Sequence, residues 1–484
     1  MVELINVKKI DDVYIRCECE ASTSQELTDY FTFNVPNAKF HPLYKNKVWD
    51  GKIRIFNYMN RTVYAGLLPY VIKFCKDRDY KLQIEDSLAP NSNYDNNFGY
   101  ELCKKYSNFS LRDYQNDAIV HALNEKRALM VSPTASGKSL MIYLLIRHHI
   151  ERGEKVLIIV PTTSLVYQMK SDFEEYNGNQ SLDIHTIMSG KGKDSDADIT
   201  ISTWQSIYKL KKPWFSKFKV VVGDEAHLFK AKSLTSIMTK LINCPYRYGF
   251  TGTLDGTETN KLVLIGLFGN VKQVVSTSEL MDKEVLAKLN IKILVLKYPD
   301  ETCKNNKSNN YHDEIDYIVR NDARNNFIRN LATNLEGNSL LLFQFVEKHG
   351  KVLYDLIKEK RPETHFVYGG VESVERENIR KLVEDGTNNI IVASYGTFST
   401  GINIRNLHNV VFCSPSKSRI RNLQSIGRGL RRSDKKNEAT LYDIVDDLSW
   451  KNYKNYALKH FMERSEIYSK EGFDFKLYSI NLKE

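Results

Sequence analysis

The sequence predicts an α/β protein with two parallel-sheet domains in tandem behind a small α+β N-terminal domain. Three observations carry that prediction. From residue 111 onward, short β-rich apolar runs alternate with helix-length amphipathic segments, the pattern of parallel strands joined by crossover helices. One of these strands runs directly into a Gly-Lys-Ser turn, and another ends on a pair of acids. The first hundred residues lack the alternation and close on a polar stretch without periodicity.

The 484 residues correspond to roughly three domains of about 150 residues each. A hydrophobic fraction of 42% with 26% charged residues is ordinary globular material and excludes a largely disordered chain. The formal charge of +10 suits a polyanionic partner, because cations placed near phosphates release counterions. A basic protein without such a partner has the same balance. The seven cysteines are scattered, and Cys17 and Cys19 lack zinc-pair spacing. An odd count without a framework suits a reducing compartment. There is no apolar leader at the start and no apolar run near the ~18 residues of a membrane span. The expectation is a soluble, cytoplasmic protein with no membrane partner.

Residues 1–95 read as the small α+β domain. Strand alternation occupies 13–17, a capped helix 24–31, and a second strand pair surrounds Trp49-Asp50-Gly51, where Asp-Gly signals a tight turn. The Asn-, Pro- and Ser-rich stretch 86–100 reads as a linker. The first parallel domain is expected over 96–280, with strands at 127–132, 155–160, 198–202, 220–223 and 247–250 and a helix at 137–152. The second is expected over 281–450, with strands at 291–296, 339–344, 365–368, 389–393 and 410–413. The polar stretch 300–310 reads as a flexible excursion, and 451–484 as a helical tail.

The strand ending at Ser132 leads into Ser132-Pro133-Thr134-Ala135-Ser136-Gly137-Lys138-Ser139 and then a helix. This is a P-loop with Ser in place of the usual first Gly. Backbone N–H groups of Thr134, Ala135, Ser136 and Gly137 would cradle phosphate at the helix N-terminus. Lys138 would reach the β- and γ-phosphates of ATP, and the Ser139 hydroxyl would ligate Mg²⁺. The buried-type strand 220–223 then delivers Asp224-Glu225-Ala226-His227 at its carboxyl end, the edge where open α/β sheets bind ligands. Asp224 would hold Mg²⁺, and Glu225 would orient or deprotonate the attacking water.

With those residues in place, the chain resembles the helicases of superfamily two. Asp-Glu-Ala-His is similar to their second acidic motif, and further signatures follow in order. Leu111-Arg112-Asp113-Tyr114-Gln115 resembles the adenine-reading segment, which implies that Arg112 and Gln115 serve the base. Val160-Pro161-Thr162-Thr163 and Ser202-Thr203-Trp204-Gln205 resemble the strand-contacting motifs, and Thr251-Gly252-Thr253 the coupling motif, with His227 and Gln424 implied in the same coupling. Phe343-Gln344 stands at the fourth-motif position. Ser399-Thr400-Gly401-Ile402-Asn403 resembles motif five, with Asn where many relatives have Asp; it implies nucleotide contacts from Gly401 and Asn403. Gln424-Ser425-Ile426-Gly427-Arg428-Gly429-Leu430-Arg431 matches motif six, implying that Arg428 and Arg431 face the γ-phosphate from the second domain. The resemblance covers 108–446 and implies two tandem RecA-like domains that close on ATP and open after hydrolysis.

Two stretches point to nucleic acid. Hydroxyls and amides at Pro161, Thr162, Thr163 and Thr203 suit sequence-independent phosphate contacts, though each threonine equally suits a helix N-cap. Phe40 to Arg54 interleaves aromatic and basic residues, among them Lys45, Lys47, Trp49 and Lys52. That surface would grip duplex or branched DNA, and it would serve equally as a core-forming hairpin with a solvated face. As a whole the chain resembles the UvsW-type recombination helicases of tailed bacteriophages, through its small N-terminal domain with the Trp-Asp-Gly turn, the Ser-Pro-Thr P-loop spacing and Ala393-Ser394-Tyr395-Gly396 before motif five. The resemblance implies an ATP-dependent DNA helicase acting on branched DNA and single-strand/duplex junctions in phage recombination, repair and replication. It implies RNA–DNA hybrids as further substrates, single-strand-binding or recombination proteins as partners, and a bacterial host cytoplasm as its location. The alternatives are the motor of a restriction or repair translocase, an RNA helicase, or an ATP-switched nucleic-acid-binding scaffold. The last has no use for a water-activating acid such as Glu225.

Overall fold

The computed structural model describes residues 3–35, 38–88, 93–133, 135–178, 182–188, 192–254, 258–397, 404, 406–414 and 438–483. The chain divides into two compact units, 1–132 with 137–274, and 275–484 with the turn 133–136.

In the first unit, the N-terminal strands are β1 (Leu4–Lys9), β2 (Tyr14–Glu18), β3 (Thr32–Asn34), β4 (Lys52–Arg54), β5 (Thr62–Tyr64) and β6 (Lys81–Ile84). Four of them form a mixed sheet in the order β5-β2-β1-β6, and β3 and β4 form a separate antiparallel ribbon. Strand β2 alternates as read: Ile15 and Cys17 are buried while Arg16 is exposed. Leu27 and Phe31, with Val71 and Phe74, cover the buried face and close a core with Ile5, Val7 and Ile15. The expected hairpin around Trp49-Asp50-Gly51 is corrected. Residues Pro42–Lys45 form a short helix, and β4 pairs with β3, in the register Phe33↔Ile53, rather than with the residues just before the turn. Gly51 still takes a left-handed φ of +77°, so Asp-Gly bends the chain as its chemistry demands. The stretch read as a linker already begins the helix Phe98–Tyr106.

The first parallel sheet holds β7 (Arg127–Val131), β8 (Val156–Val160), β9 (Ile184–Ile187), β10 (Ile199–Thr203), β11 (Val220–Asp224), β12 (Tyr246–Thr251) and β13 (Val271–Gln273), in the order β13-β7-β12-β11-β8-β10-β9. All pairings are parallel. Strand β8 is buried along its whole length, as a central strand covered on both faces must be. The two strands the sequence reading missed, β9 and β13, are the short, half-exposed edges.

In the second unit, β14 (Lys288–Lys297), β15 (Ser339–Phe343), β16 (His365–Val367), β17 (Ile390–Ser394), β18 (Asn409–Phe412), β19 (Glu438–Asp447) and β20 (Phe475–Asn481) form another parallel sheet, ordered β16-β17-β15-β18-β19-β14-β20. Two corrections concern its tail. Segment 451–484 is not only helical: the helix Tyr456–Lys470 is followed by β20, which pairs with β14 from Ile291↔Phe475 to Lys297↔Asn481. Strand β19 was missed because its sequence carries four acids, yet Asp443 and Asp446 are fully buried. Arg464 donates from Nε and Nη2 to Asp443 at 2.9 and 2.8 Å. Arg324 donates to Asp446 at 2.6 and 3.0 Å. The polar stretch read as a flexible excursion opens on the helix Asp300–Asn306.

Candidate nucleotide site and nucleic-acid interface

Three neighbouring strands bring the first site together. In the order β7-β12-β11, Val131 is in register with Thr251 and Asp224 with Phe250, and the Ser132 N–H donates to the Thr251 carbonyl at 2.8 Å. The P-loop therefore leaves the sheet two strands from the acids, roughly 10 Å away at one strand spacing each. The sheet face at Gly223 can be covered closely because the residue has no side chain: a Cβ there would sit 2.7 Å from Phe268 of the helix Glu258–Phe268 and 2.8 Å from Phe229.

At the P-loop, Gly137 has φ +83° and opens the helix Lys138–Glu151. That φ strains any residue with a side chain, and a Cβ would also displace the Gln115 side-chain nitrogen, 2.1 Å away. Gln115 is buried, and its Oε1 accepts the Arg112 N–H at 2.9 Å in a capping box that starts the helix Asp113–Glu125. Arg112 Nη1 donates to the Tyr114 hydroxyl at 3.1 Å. The segment expected to read adenine is thus packed against the loop expected to hold phosphate. Ala135 takes a left-handed φ of +67°, and Ser136 is buried with its hydroxyl donating to the Pro133 carbonyl at 2.7 Å. Lys138 Nζ donates to the Ser132 carbonyl at 3.1 Å, and Ser139 follows it on the first helical turn.

At the end of β11, Glu225 has φ +51°, a conformation that costs a non-glycine residue energy and clusters at functional sites. The Asp224 carboxyl is pushed up to about 6, first by desolvation and then by the neighbouring Glu225 charge, with Lys138 and His227 pulling the other way. His227 joins the acids to the coupling motif. Its Nδ1 lies 2.9 Å from Thr251 Oγ1 and 3.3 Å from Glu225 Oε2. The Thr251 hydroxyl donates to the Thr253 carbonyl at 2.9 Å, so it accepts from His227, which places the histidine proton on Nδ1.

Of the threonines at the expected strand contacts, Thr162 caps a helix through its side chain, whereas Thr203 starts one without a side-chain cap bond. Thr162 Oγ1 accepts the Leu165 N–H at 3.4 Å and caps Thr163–Tyr176, leaving Pro161 half-buried and Thr163 exposed. Thr203 is buried, and its hydroxyl is 2.9 Å from Ser206 Oγ at the start of Trp204–Ile207. In the N-terminal domain Lys45, Lys47 and Lys52 are exposed. Trp49 is half-buried, donates from Nε1 to the Lys52 carbonyl at 2.8 Å and meets His41 edge-on at 5.5 Å. It shapes the loop that displays the lysines.

Thr134, Gly401, Asn403, Gln424, Arg428 and Arg431 lie outside the described residues. Sequence reasoning missed how the N-terminal domain docks. A Cβ on Gly66 would stand 2.2 Å from the Ile265 carbonyl, and one on Gly266 would stand 2.7 Å from Tyr64. The available signal was a glycine inside the apolar helix Glu258–Phe268, which in a helix pattern marks a packing or functional reason.

Three family models match the chain: the N-terminal domain of the DNA helicase UvsW over residues 4–85, the res subunit of type III restriction enzymes over 108–256, and the conserved helicase C-terminal domain over 323–433. The ATP-dependent DNA helicase uvsW of Enterobacteria phage T4 is 37% identical across 99% of this chain and 100% of its own. The DNA 3'-5' translocase XPB2 of Sulfurisphaera tokodaii is 27% identical across 75% of this chain and 88% of its own. The crystal structure of T4 UvsW superposes with a TM-score of 0.52 at 36% identity, covering 99% of this chain and all of that one. With the P-loop, the acid pair and the His227–Thr251 link assembled at adjacent strand ends, and with this likeness running from end to end, the chain belongs to the UvsW family of DNA helicases.

Proposed function

We propose that this protein is an ATP-dependent DNA helicase and translocase acting on branched DNA, in branch migration, fork regression and the unwinding of R-loops. The observation that carries the reading is the meeting of Lys138, Asp224, Glu225, His227 and Thr251 at the ends of β7, β11 and β12. Phosphoryl transfer asks mainly for positioning and charge neutralisation. Lys138 is placed to trade the Ser132 carbonyl for the β- and γ-phosphates of ATP. Gln115 and Arg112 take the adenine, and the N–H groups of Thr134, Ala135, Ser136 and Gly137 the phosphates. Glu225 orients or deprotonates the attacking water.

Ser139 and Asp224 fit Mg²⁺: both offer hard oxygen, one on the first turn of the helix after the P-loop and the other at the end of β11. Held there by Ser139 and Asp224, the ion would supply positive charge against the phosphates. His227 senses Glu225 on one side and Thr251 on the other, so loss of the γ-phosphate is passed to the coupling motif, with Thr253 and Gln424 in the same relay. By resemblance to the family's motifs, Gly401 and Asn403 would serve the nucleotide, and Arg428 and Arg431 would neutralise the γ-phosphate. Pro161, Thr162, Thr163 and Thr203 hold the DNA backbone, and Lys45, Lys47, Trp49 and Lys52 form a second grip on junctions.

The test is steady-state ATP hydrolysis with no nucleic acid, single-stranded DNA, a four-way DNA junction and single-stranded RNA at matched salt. Strongest stimulation by the junction is expected. Stimulation by RNA alone would replace the DNA reading with an RNA helicase, and no hydrolysis at all would leave an ATP-switched scaffold.

A further inference from the structure

The outer face of the N-terminal sheet carries a groove of about 670 Å³ that no element of the described chain fills. Its floor is a pair of tyrosines: Tyr14 and Tyr64 are directly opposite across β2 and β5, stacked at 5.3 Å with their rings 22° apart. Its rim is a tight turn closed by Asn57 and Thr62, whose backbones exchange hydrogen bonds at 2.8 and 3.2 Å. The tip of that turn displays Tyr58 and Met59, the latter 84% exposed. Arg16 and Arg54 also line the groove. The adjoining segment 39–61 holds six basic residues against one acid.

We propose that this groove is a stacking subsite for one or two bases of single-stranded DNA at a junction, which deepens and rests on the DNA-helicase reading above. The chemistry selects that occupant. The exposed Tyr58 ring and Met59 thioether at the tip, over a tyrosine floor, offer apolar contact to the face of an unstacked base. A duplex hides its base faces and would engage only the cations. Arg16 and Arg54 line the same groove, and they would meet the phosphates adjoining a stacked base, Arg54 by turning from its exposed partner Asp50. Tyr64 also touches the motor: it abuts Gly266 of the helix Glu258–Phe268, which follows the coupling motif in sequence. A strand held in the groove is therefore one side chain away from the first RecA-like domain.

The test uses the full chain without ATP, so its outcome does not depend on hydrolysis. A forked DNA carries iodinated deoxyuridine in its single-stranded arm, and ultraviolet crosslinks are mapped by mass spectrometry. Crosslinks at Tyr14, Tyr58 or Met59 are expected. In parallel, Tyr14→Ala combined with Tyr58→Ala should weaken single-strand binding roughly tenfold and leave duplex binding unchanged, while Tyr14→Phe binds normally. Crosslinks confined to the motor domains, or equal losses on single strand and duplex, would overturn the subsite. A wild-type chain that binds no DNA removes the helicase reading and the subsite together, whereas tight binding indifferent to both substitutions removes the subsite alone.

Discussion

The two parallel sheets share a plan and treat their carboxylates in opposite ways. At the end of β11, Asp224 and Glu225 stand side by side, desolvation and then the Glu225 charge raise the Asp224 carboxyl, and Glu225 is held in a left-handed backbone. In β19, Asp443 and Asp446 are fully buried and each is gripped by an arginine through two hydrogen bonds, with Tyr468 and Tyr298 donating a further one apiece at 2.8 and 2.9 Å. The first pair meets the His227 ring at 3.3 Å and the Glu225 N–H at 3.0 Å, and it stands at the sheet edge where ligands bind. The second is satisfied within the protein and can only hold it together. A buried acid is thus informative about chemistry only once its counter-charge is known.

That contrast can be broken from either side. The largest effect is expected at Glu225→Gln, which should lower the hydrolysis rate by ~10²–10⁴-fold with ATP binding and thermal stability retained. Normal turnover in a single-turnover assay would remove the assignment. Next comes Arg464→Ala, which strands Asp443 without its cation and should cost roughly 3–5 kcal/mol in urea unfolding; a loss below ~1 kcal/mol would mean that the pair holds nothing.

A smaller and oppositely signed effect is expected at Asp224→Asn. A carboxyl whose folded value is raised to about 6, against an unfolded value of about 3.9, weakens the apo fold progressively as the pH climbs between those two values. The amide should therefore raise Tm by roughly 2–4 °C at pH 7.5, with the gain gone near pH 4, while hydrolysis is lost. A fall in Tm at neutral pH would contradict a desolvated carboxylate at this position. The smallest is Thr162→Ala, which removes a helix cap at a cost of about 1 kcal/mol. If the same hydroxyl also holds DNA, the variant loses affinity uniformly across sequences, and unchanged affinity would leave it as a cap alone.

The elements legible in the sequence were those whose residues carry their own local reason. The P-loop needs a flexible glycine beside a lysine, and Gly137 and Lys138 supply it; β8 is apolar end to end and β11 opens on three buried valines because both faces are covered. The edges β9 and β13 were illegible because three or four half-exposed residues have no period to read. β19 was illegible because its acids argue against a strand until Arg324 and Arg464 arrive from 122 and 21 residues away. The Trp49-Asp50-Gly51 turn was read correctly as a bend, but its strand partner, β3, was decided by packing.

By itself, then, the sequence determined the class of fold and the chemistry at the first sheet's edge, because phosphate cradling and acid placement depend on residues adjacent in the chain. Only the tertiary structure decided that Gln115 packs on Gly137, that His227 joins Glu225 to Thr251, that the C-terminal segment adds β20 beside β14, and that Tyr14 and Tyr64 floor an open groove. Each of those pairs residues distant in sequence through contacts that no local period encodes, and burial alone fixes which of them meet.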